Sequence, residues 1–284
     1  MSGNLAEMVL ARSRSVAVAV VVGGAADGLA GASREAQAGQ RAEGDHDYGD
    51  CGEHDSSQVQ AAGALCDVRH SYRARGVSDK LPIAVLVSGT GTNLQALLDT
   101  VHGREAEIVA VASSLAGVPA LERAHARAVP TAVFARAEHP DRAARDAALA
   151  DWLERRGARL VVLAGYMELL GAPFLSRFAG AVINVHPSLL PAFPGLAAIE
   201  QALAYGVKVF GVTVHFVDAG VDSGAVILQR AVELPAARTP EEVRAALRPL
   251  EHELLPRAVS LFARGALAPD AENPRHIAIA GGEG

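Results

Sequence analysis

Between residues 83 and 234 the chain alternates short, unbroken apolar runs with stretches of helical spacing. Residues 83–87, 108–112 and 160–164, and the run that opens at Ala181, contain almost nothing but Val, Ile, Leu and Ala. A run with no polar alternate is a strand buried on both faces. Between these runs the spacing predicts helices from Leu94, over 118–128, 141–156 and 197–205, a short one around 174–178, and a late one from Thr239 towards Arg264. On the 141–156 helix, Ala144, Ala148, Trp152 and Leu153 are the expected buried face. Further strands are expected over 131–134, 211–217 and 226–234. Strands alternating with helices require a mostly parallel sheet covered on both sides. Right-handed crossovers leave a doubly wound, Rossmann-like α/β fold as the simplest topology.

Two strand ends carry candidate chemistry. The run from Ala181 leaves through Asn184-Val185-His186-Pro187-Ser188-Leu189-Leu190-Pro191. Asn184 and His186 are two apart, so on a strand they share a face. They stand at its carboxyl end, where open α/β sheets place ligands. A carboxamide can donate to a carbonyl oxygen and an imidazole can move a proton, the requirements of acyl transfer. Taken alone, such a pair is more often a turn-capping Asn beside a His satisfied by backbone. The first strand empties into Ser88-Gly89-Thr90-Gly91-Thr92-Asn93 at a helix start. Backbone N–H groups and the helix dipole make that turn an anion site. There is no Gly-Lys-Ser/Thr and no full Gly-x-Gly-x-x-Gly, so a phosphomonoester fits better than a dinucleotide. A purely structural βα turn is nearly as good a reading of this segment. His215 is either a second site histidine or a polar core group.

The chain ends differ in character from the middle. Residues 1–80 are read as an N-terminal extension, mostly disordered, because 39–70 are polar without a sustained period. A small regulatory domain and a working start near Val77 are the competing readings. Arg12 and Arg14 precede an apolar stretch at 16–22 that is too short for a secretory signal. Cys51 and Cys66, the only cysteines, make neither a disulfide framework nor a metal set. A net charge of −6 without basic blocks disfavours nucleic acid. No apolar run is long enough to span a membrane, and a cytoplasmic protein is expected. Thr239-Pro240-Glu241-Glu242 reads as a capped helix start. Pro249 and Pro256 are expected to end or kink that helix. From Ala268 the pattern fades, and 268–284 are read as a C-terminal tail.

Three motifs together resemble the folate-dependent formyltransferases, and within them the branch that formylates glycinamide ribonucleotide in purine synthesis. They are residues 88–95, residues 184–191, and Val214-His215-Phe216-Val217-Asp218-Ala219-Gly220-Val221-Asp222-Ser223-Gly224. The resemblance covers about 81–267, which is taken as the catalytic domain. It implies that 10-formyltetrahydrofolate is the co-substrate, without a metal, and that an amine attacks its formyl carbon. It implies that Asn184 holds the formyl oxygen, His186 donates a proton and stabilises the oxyanion, and Asp222 keeps His186 charged. Gly91, Thr92 and Asn93 match positions that hold the ribonucleotide phosphate, and Glu251 one that contacts the substrate. Arg142 matches a basic position near the folate's glutamate tail. Met167, Glu168, Leu169 and Leu170 match the segment lining the pterin pocket. Asp218, Ala219, Gly220, Val221 and Asp222 match the loop that closes over it. The implied partners are small molecules only, with a monomer or homodimer acting on them.

Three positions depart from the pattern: Glu168 where a basic residue occurs, Ala197 where His is common, and Arg248-Pro249 just before Glu251. Formyltetrahydrofolate hydrolase, with water replacing the amine, is the first rival. It typically carries a second His where Pro187 stands. Methionyl-tRNA formyltransferase shares the Asn-x-His-Pro run but needs a C-terminal nucleic-acid-binding barrel, for which no room is expected after Leu267. A relative that binds folate or nucleotide without turnover is the non-enzymatic alternative.

Overall fold

The computed structural model describes residues 80–280. The expectations for residues 1–79, including both cysteines, lie outside the described residues. A seven-stranded sheet forms the centre. Its strands are β1 (Leu81–Val87), β2 (Ala106–Ser113), β3 (Thr131–Val133), β4 (Leu160–Leu163), β5 (Val182–His186), β6 (Val209–Phe216) and β7 (Val226–Glu233). The order is β3-β2-β1-β4-β5-β6-β7. β1 to β5 are parallel, and β6 alone runs the other way, antiparallel to both β5 and β7. The order reverses between β1 and β4, so their carboxyl ends open a crevice of the kind that receives ligands in such sheets.

Helices cover both faces. On one side lie α1 (Thr92–Thr100), α2 (Pro119–His125), α5 (Ala198–Tyr205) and α6 (Pro240–Ala263). On the other lie α3 (Arg142–Arg155) and α4 (Ala172–Arg177). The strands divide their side chains between these two cores. Ile83, Val85 and Val87 face the α1 side, while Ala84 and Leu86 face α3. This two-sided burial is why the strands read as unbroken apolar runs.

The structure corrects one expectation and adds detail to two. The buried face of α3 is Arg145, Asp146, Leu149, Ala150 and Leu153, one residue round from the apolar stripe expected; Ala144, Ala148 and Trp152 are only partly covered. A buried cation is costly unless paired, and Arg145 is paired with Asp146 and Glu168. The late helix is not ended by its prolines: α6 continues through Pro249 and Pro256. Each interior Pro costs about 3 kcal/mol. Burial of Val243, Leu247, Leu254, Leu255, Val259 and Phe262 offsets that, at about 1.5–3 kcal/mol per side chain. Its start has the expected capping box between Thr239 and Glu242. Finally, the segment read as a C-terminal tail holds a hairpin, β8 (Leu267–Pro269) with β9 (Ile277–Ile279). Ile277 joins the core, and His276 bridges to Val226.

Candidate active site

β5 delivers Asn184 and His186 to the crevice, as their spacing requires. Pairing with β6 sets Asn184 opposite His215 and His186 opposite Thr213. Thr213 anchors the loop leaving His186. Its hydroxyl donates to the Ser188 carbonyl at 2.7 Å and accepts from Leu190 N–H at 3.1 Å. Gln229 on β7 adds a donor to the Leu190 carbonyl at 2.8 Å. Gly211 lets Leu189 pack directly on the sheet, since a Cβ there would collide with the Leu189 side chain.

Asp222 reaches the same point from the loop between β6 and β7. Its Oδ2 lies 3.3 Å from His186 Nδ1 and accepts Gly195 N–H at 2.7 Å. Its Oδ1 lies 3.5 Å from His215 Nε2 and 3.4 Å from Asn184 Nδ2. Burial raises the pKa of this carboxyl, but hydrogen bonds from His215 and Gly195 and the two imidazole charges outweigh it. The net result is a fall from 3.8 to about 2. Asp222 is therefore a fixed negative charge at neutral pH.

The ring of His186 is buried and faces an oxygen on each side, Asp222 at Nδ1 and the Phe193 carbonyl at Nε2, 2.9 Å away. His215 Nδ1 lies 2.7 Å from the Phe216 carbonyl, so that nitrogen carries a proton. Its Nε2 lies 3.2 Å from Asn184 Nδ2. The carboxamide nitrogen thus faces His215 and Asp222 together. An entering carbonyl oxygen must take a hydrogen from that pair and replace the Phe193 carbonyl at His186. His215, open between two readings in the sequence, is a neighbour of the site. The contributions of Phe193 and Gly195 are backbone groups, which no residue type announces.

The glycine turn lies at the carboxyl end of β1. Gly91 has φ +72° and precedes α1, whose start lacks both a side-chain cap and an acid in its first turn. Asn93, 9% exposed, donates through Nδ2 to Glu251 of α6 at 2.9 Å. The predicted substrate contacts from distant segments are therefore adjacent. Asn93 Oδ1 is buried without a partner. So is Nε2 of His252, beside Glu251, whose ring burial holds toward the neutral form.

The segment after β4 runs past the same crevice. Met167 N–H donates to Ser88 Oγ at 3.0 Å, tying it to the end of β1. Arg145 binds Glu168 at 2.6 Å and the Leu169 carbonyl at 2.8 Å, and Asp146 accepts Gly171 N–H at 2.7 Å. Glu168, placed where a basic residue was expected, is thus neutralised from α3. Met167 and Leu169 are left exposed, as is Val221 on the Asp222 loop. Leu170 is partly covered and packs against the α3 core. Arg142 stands exposed in the first turn of α3, near Gly171. Asp218 accepts Gly220 N–H and the Ser223 hydroxyl, at 3.0 and 2.6 Å, fixing the loop; Ala219 is exposed at its tip. Among the described residues no group of three His, Cys, Asp or Glu is placed to hold a metal. No helix among them is long and apolar enough to cross a membrane.

Known proteins are similar to this chain in sequence and in fold. A curated relative, phosphoribosylglycinamide formyltransferase of Haemophilus influenzae, is 41% identical over 187 residues, covering 65% of this chain and 88% of its own length. The trifunctional purine biosynthetic protein adenosine-3 of Drosophila pseudoobscura is 44% identical over 189 residues, or 65% of this chain; the chain spans only 14% of that relative's length. The crystal structure of glycinamide ribonucleotide transformylase 1 from Symbiobacterium toebii superposes with a TM-score of 0.67 at 44% identity, covering 72% of this chain and 95% of that one. Residues 81–259 match the family described as formyl transferase. With that match across all seven strands of the central sheet, the chain belongs to the formyl transferase family.

Proposed function

We propose that the protein transfers the formyl group of 10-formyltetrahydrofolate to the amine of glycinamide ribonucleotide, in de novo purine synthesis. The observation that carries this reading is the meeting of Asn184, His186 and Asp222 at the carboxyl end of β5. The uncapped turn at Gly91 and the Asn93–Glu251 pair belong to the same sheet edge. The crevice thus offers an acyl-transfer centre and an anion-binding turn, which is what a phosphorylated amine substrate needs.

In this reading the amine attacks the formyl carbon, forming a C–N bond while the carbonyl oxygen takes the electron pair. Asn184 N–H and His186 Nε2–H stabilise that oxygen. On collapse the bond to the folate N10 breaks. The proton lost by the attacking nitrogen is balanced by one gained at N10, relayed through His186. Asp222 stabilises the protonated form of His186 on either side of that relay. Gly91, Thr92 and Asn93 bind the phosphate, and Glu251 accepts from the sugar hydroxyls. Met167, Leu169 and Val221 supply an exposed apolar lip for the pterin, with Glu168, Leu170 and the loop from Asp218 to Asp222 around it; Arg142 faces the acidic tail. The catalytic unit is residues 81–267, working on small molecules in the cytoplasm as a monomer or homodimer.

The test is turnover by the full chain. Formylated product must appear from both substrates, and 10-formyltetrahydrofolate must be stable with the protein when the amine is left out. Formate release at the same rate without amine would identify a hydrolase instead.

A further inference from the structure

We propose that Arg123 of α2 is a positioning residue for the phosphate-holding turn, an inference that rests on the reading of that turn given above. The turn is pressed against α2: a Cβ at Gly91 would lie 2.6 Å from Ala120 Cβ. Two successive carbonyls of the turn are bonded to α2. Ala120 N–H donates to the Gly89 carbonyl at 3.3 Å, and Arg123 Nε donates to the Thr90 carbonyl at 2.9 Å. A peptide unit is planar and trans, so fixing its C=O fixes the following N–H on the opposite side. The N–H groups of Thr90 and Gly91 are thereby turned away from α2.

The N–H groups of Thr92, Asn93 and Leu94 have no intrahelical acceptor, because the first helical bond runs from Gln95 N–H to the Gly91 carbonyl at 2.9 Å. With no capping side chain, these donors remain for a ligand. Asn93, nine-tenths buried beside them with an unpartnered Oδ1, marks the place as built for an occupant. Arg123 also donates through its Nη1 to Gln95 Oε1 at 3.1 Å, gripping the turn and the helix it opens. Gln95 in turn donates to Asp99 at 3.0 Å, and Asp99 pairs with Arg127 at 2.6 Å. This strap of side chains locks α1 to α2 along its length. A guanidinium spans Thr90 and Gln95 with a rigid fork, which an ammonium does not. It also brings a positive charge to the back of a turn whose front faces a dianion.

The experiment uses the full chain as wild type, R123A, R123Q and R123K. Calorimetry measures equilibrium binding of glycinamide ribonucleotide and of its riboside, which lacks the phosphate. KM for 10-formyltetrahydrofolate and thermal melts are taken alongside. R123A is expected to weaken ribonucleotide binding about tenfold, the size of one charge-assisted hydrogen bond, with R123K recovering part of the loss and R123Q less. Riboside binding and folate KM should stay close to wild type. If R123A does not fold, R123Q and R123K give the same comparison. Ribonucleotide binding at wild-type strength in the variants, or equal loss for riboside and ribonucleotide, overturns the proposal while leaving the function intact. A wild-type protein that binds no ribonucleotide overturns the functional reading itself, and this inference with it.

Discussion

Replacing Asp222 by Asn tests the centre most directly, because it removes one charge and almost no volume. A unit charge pair at the 3.3 Å between Asp222 and His186 is worth about 5 kcal/mol at an effective dielectric of 20. Burial opposes it, and the fall of the carboxyl pKa from 3.8 to about 2 is the net of burial against hydrogen bonds from His215 and Gly195 and the charges of both imidazoles. That net preference for the charged form is about 2.5 kcal/mol. If the transition state depends on this whole set of contacts, its loss slows the chemical step on the order of 10²-fold. The amide also has one acceptor oxygen where the carboxylate had two. If that oxygen keeps Gly195, the new NH2 faces the NH2 of Asn184, and the carboxamide loses its acceptor. The assay is kcat with both substrates saturating, beside folate affinity at equilibrium. A large fall in kcat with folate binding changed by less than about threefold is expected, the pattern of a group acting in the transition state. Unchanged kcat, or parallel loss of folate binding, would refute the assignment.

Other changes probe separate parts of the molecule. Because the folded-state pKa of Asp222 is depressed, its contribution to stability is fully present above pH 3.8 and is lost as pH falls through about 2. Denaturant unfolding from pH 5 to 2 should show a decline of about 2 kcal/mol that D222N lacks. E251Q weakens the acceptor that Asn93 donates to, so KM for the ribonucleotide should rise about tenfold while folate KM stays. R145M strands the buried Asp146 and should cost about 3–5 kcal/mol, seen as a lower Tm; E168Q, at a partly exposed partner, should cost about 1 kcal/mol. G224A drives a Cβ into the Phe216 carbonyl and shifts the Asp222 loop, so kcat should fall with it.

The sheet was legible because two-sided burial writes itself as unbroken apolar runs, and because crossover helices leave their own period between them. Directions were less so. The stretch from β5 to β6 contains a helix and could serve a parallel crossover, yet β6 runs antiparallel to β5. The link from β6 to β7 has no helix, and there the hairpin follows from length alone. Local rules failed where tertiary packing overrode them. Pro249 and Pro256 break a helix in isolation, but α6 is held along its length by buried side chains. Arg145 reads as a surface residue until its partners arrive from Asp146 and from Glu168, on the far side of β4.

The residues of the candidate site were legible as motifs, yet their geometry was not, and the reason lies in the backbone. Phe193, Ala197 and Asp222 all have left-handed φ, at +53°, +58° and +50°, although none is glycine. Each such residue costs on the order of 1 kcal/mol or more and persists only where its surroundings over-determine it. Here the surroundings are one another. The loop carrying Phe193 is joined to the loop carrying Asp222 by the bond from Gly195 N–H to the carboxylate, and both loops meet His186. The carboxylate beside the imidazole therefore also fastens the two strained loops. A glycine in any of these places would have advertised the turn in the sequence. A side chain there hides it, and the strain is visible only once the ring, the carboxylate and both loops are in place together.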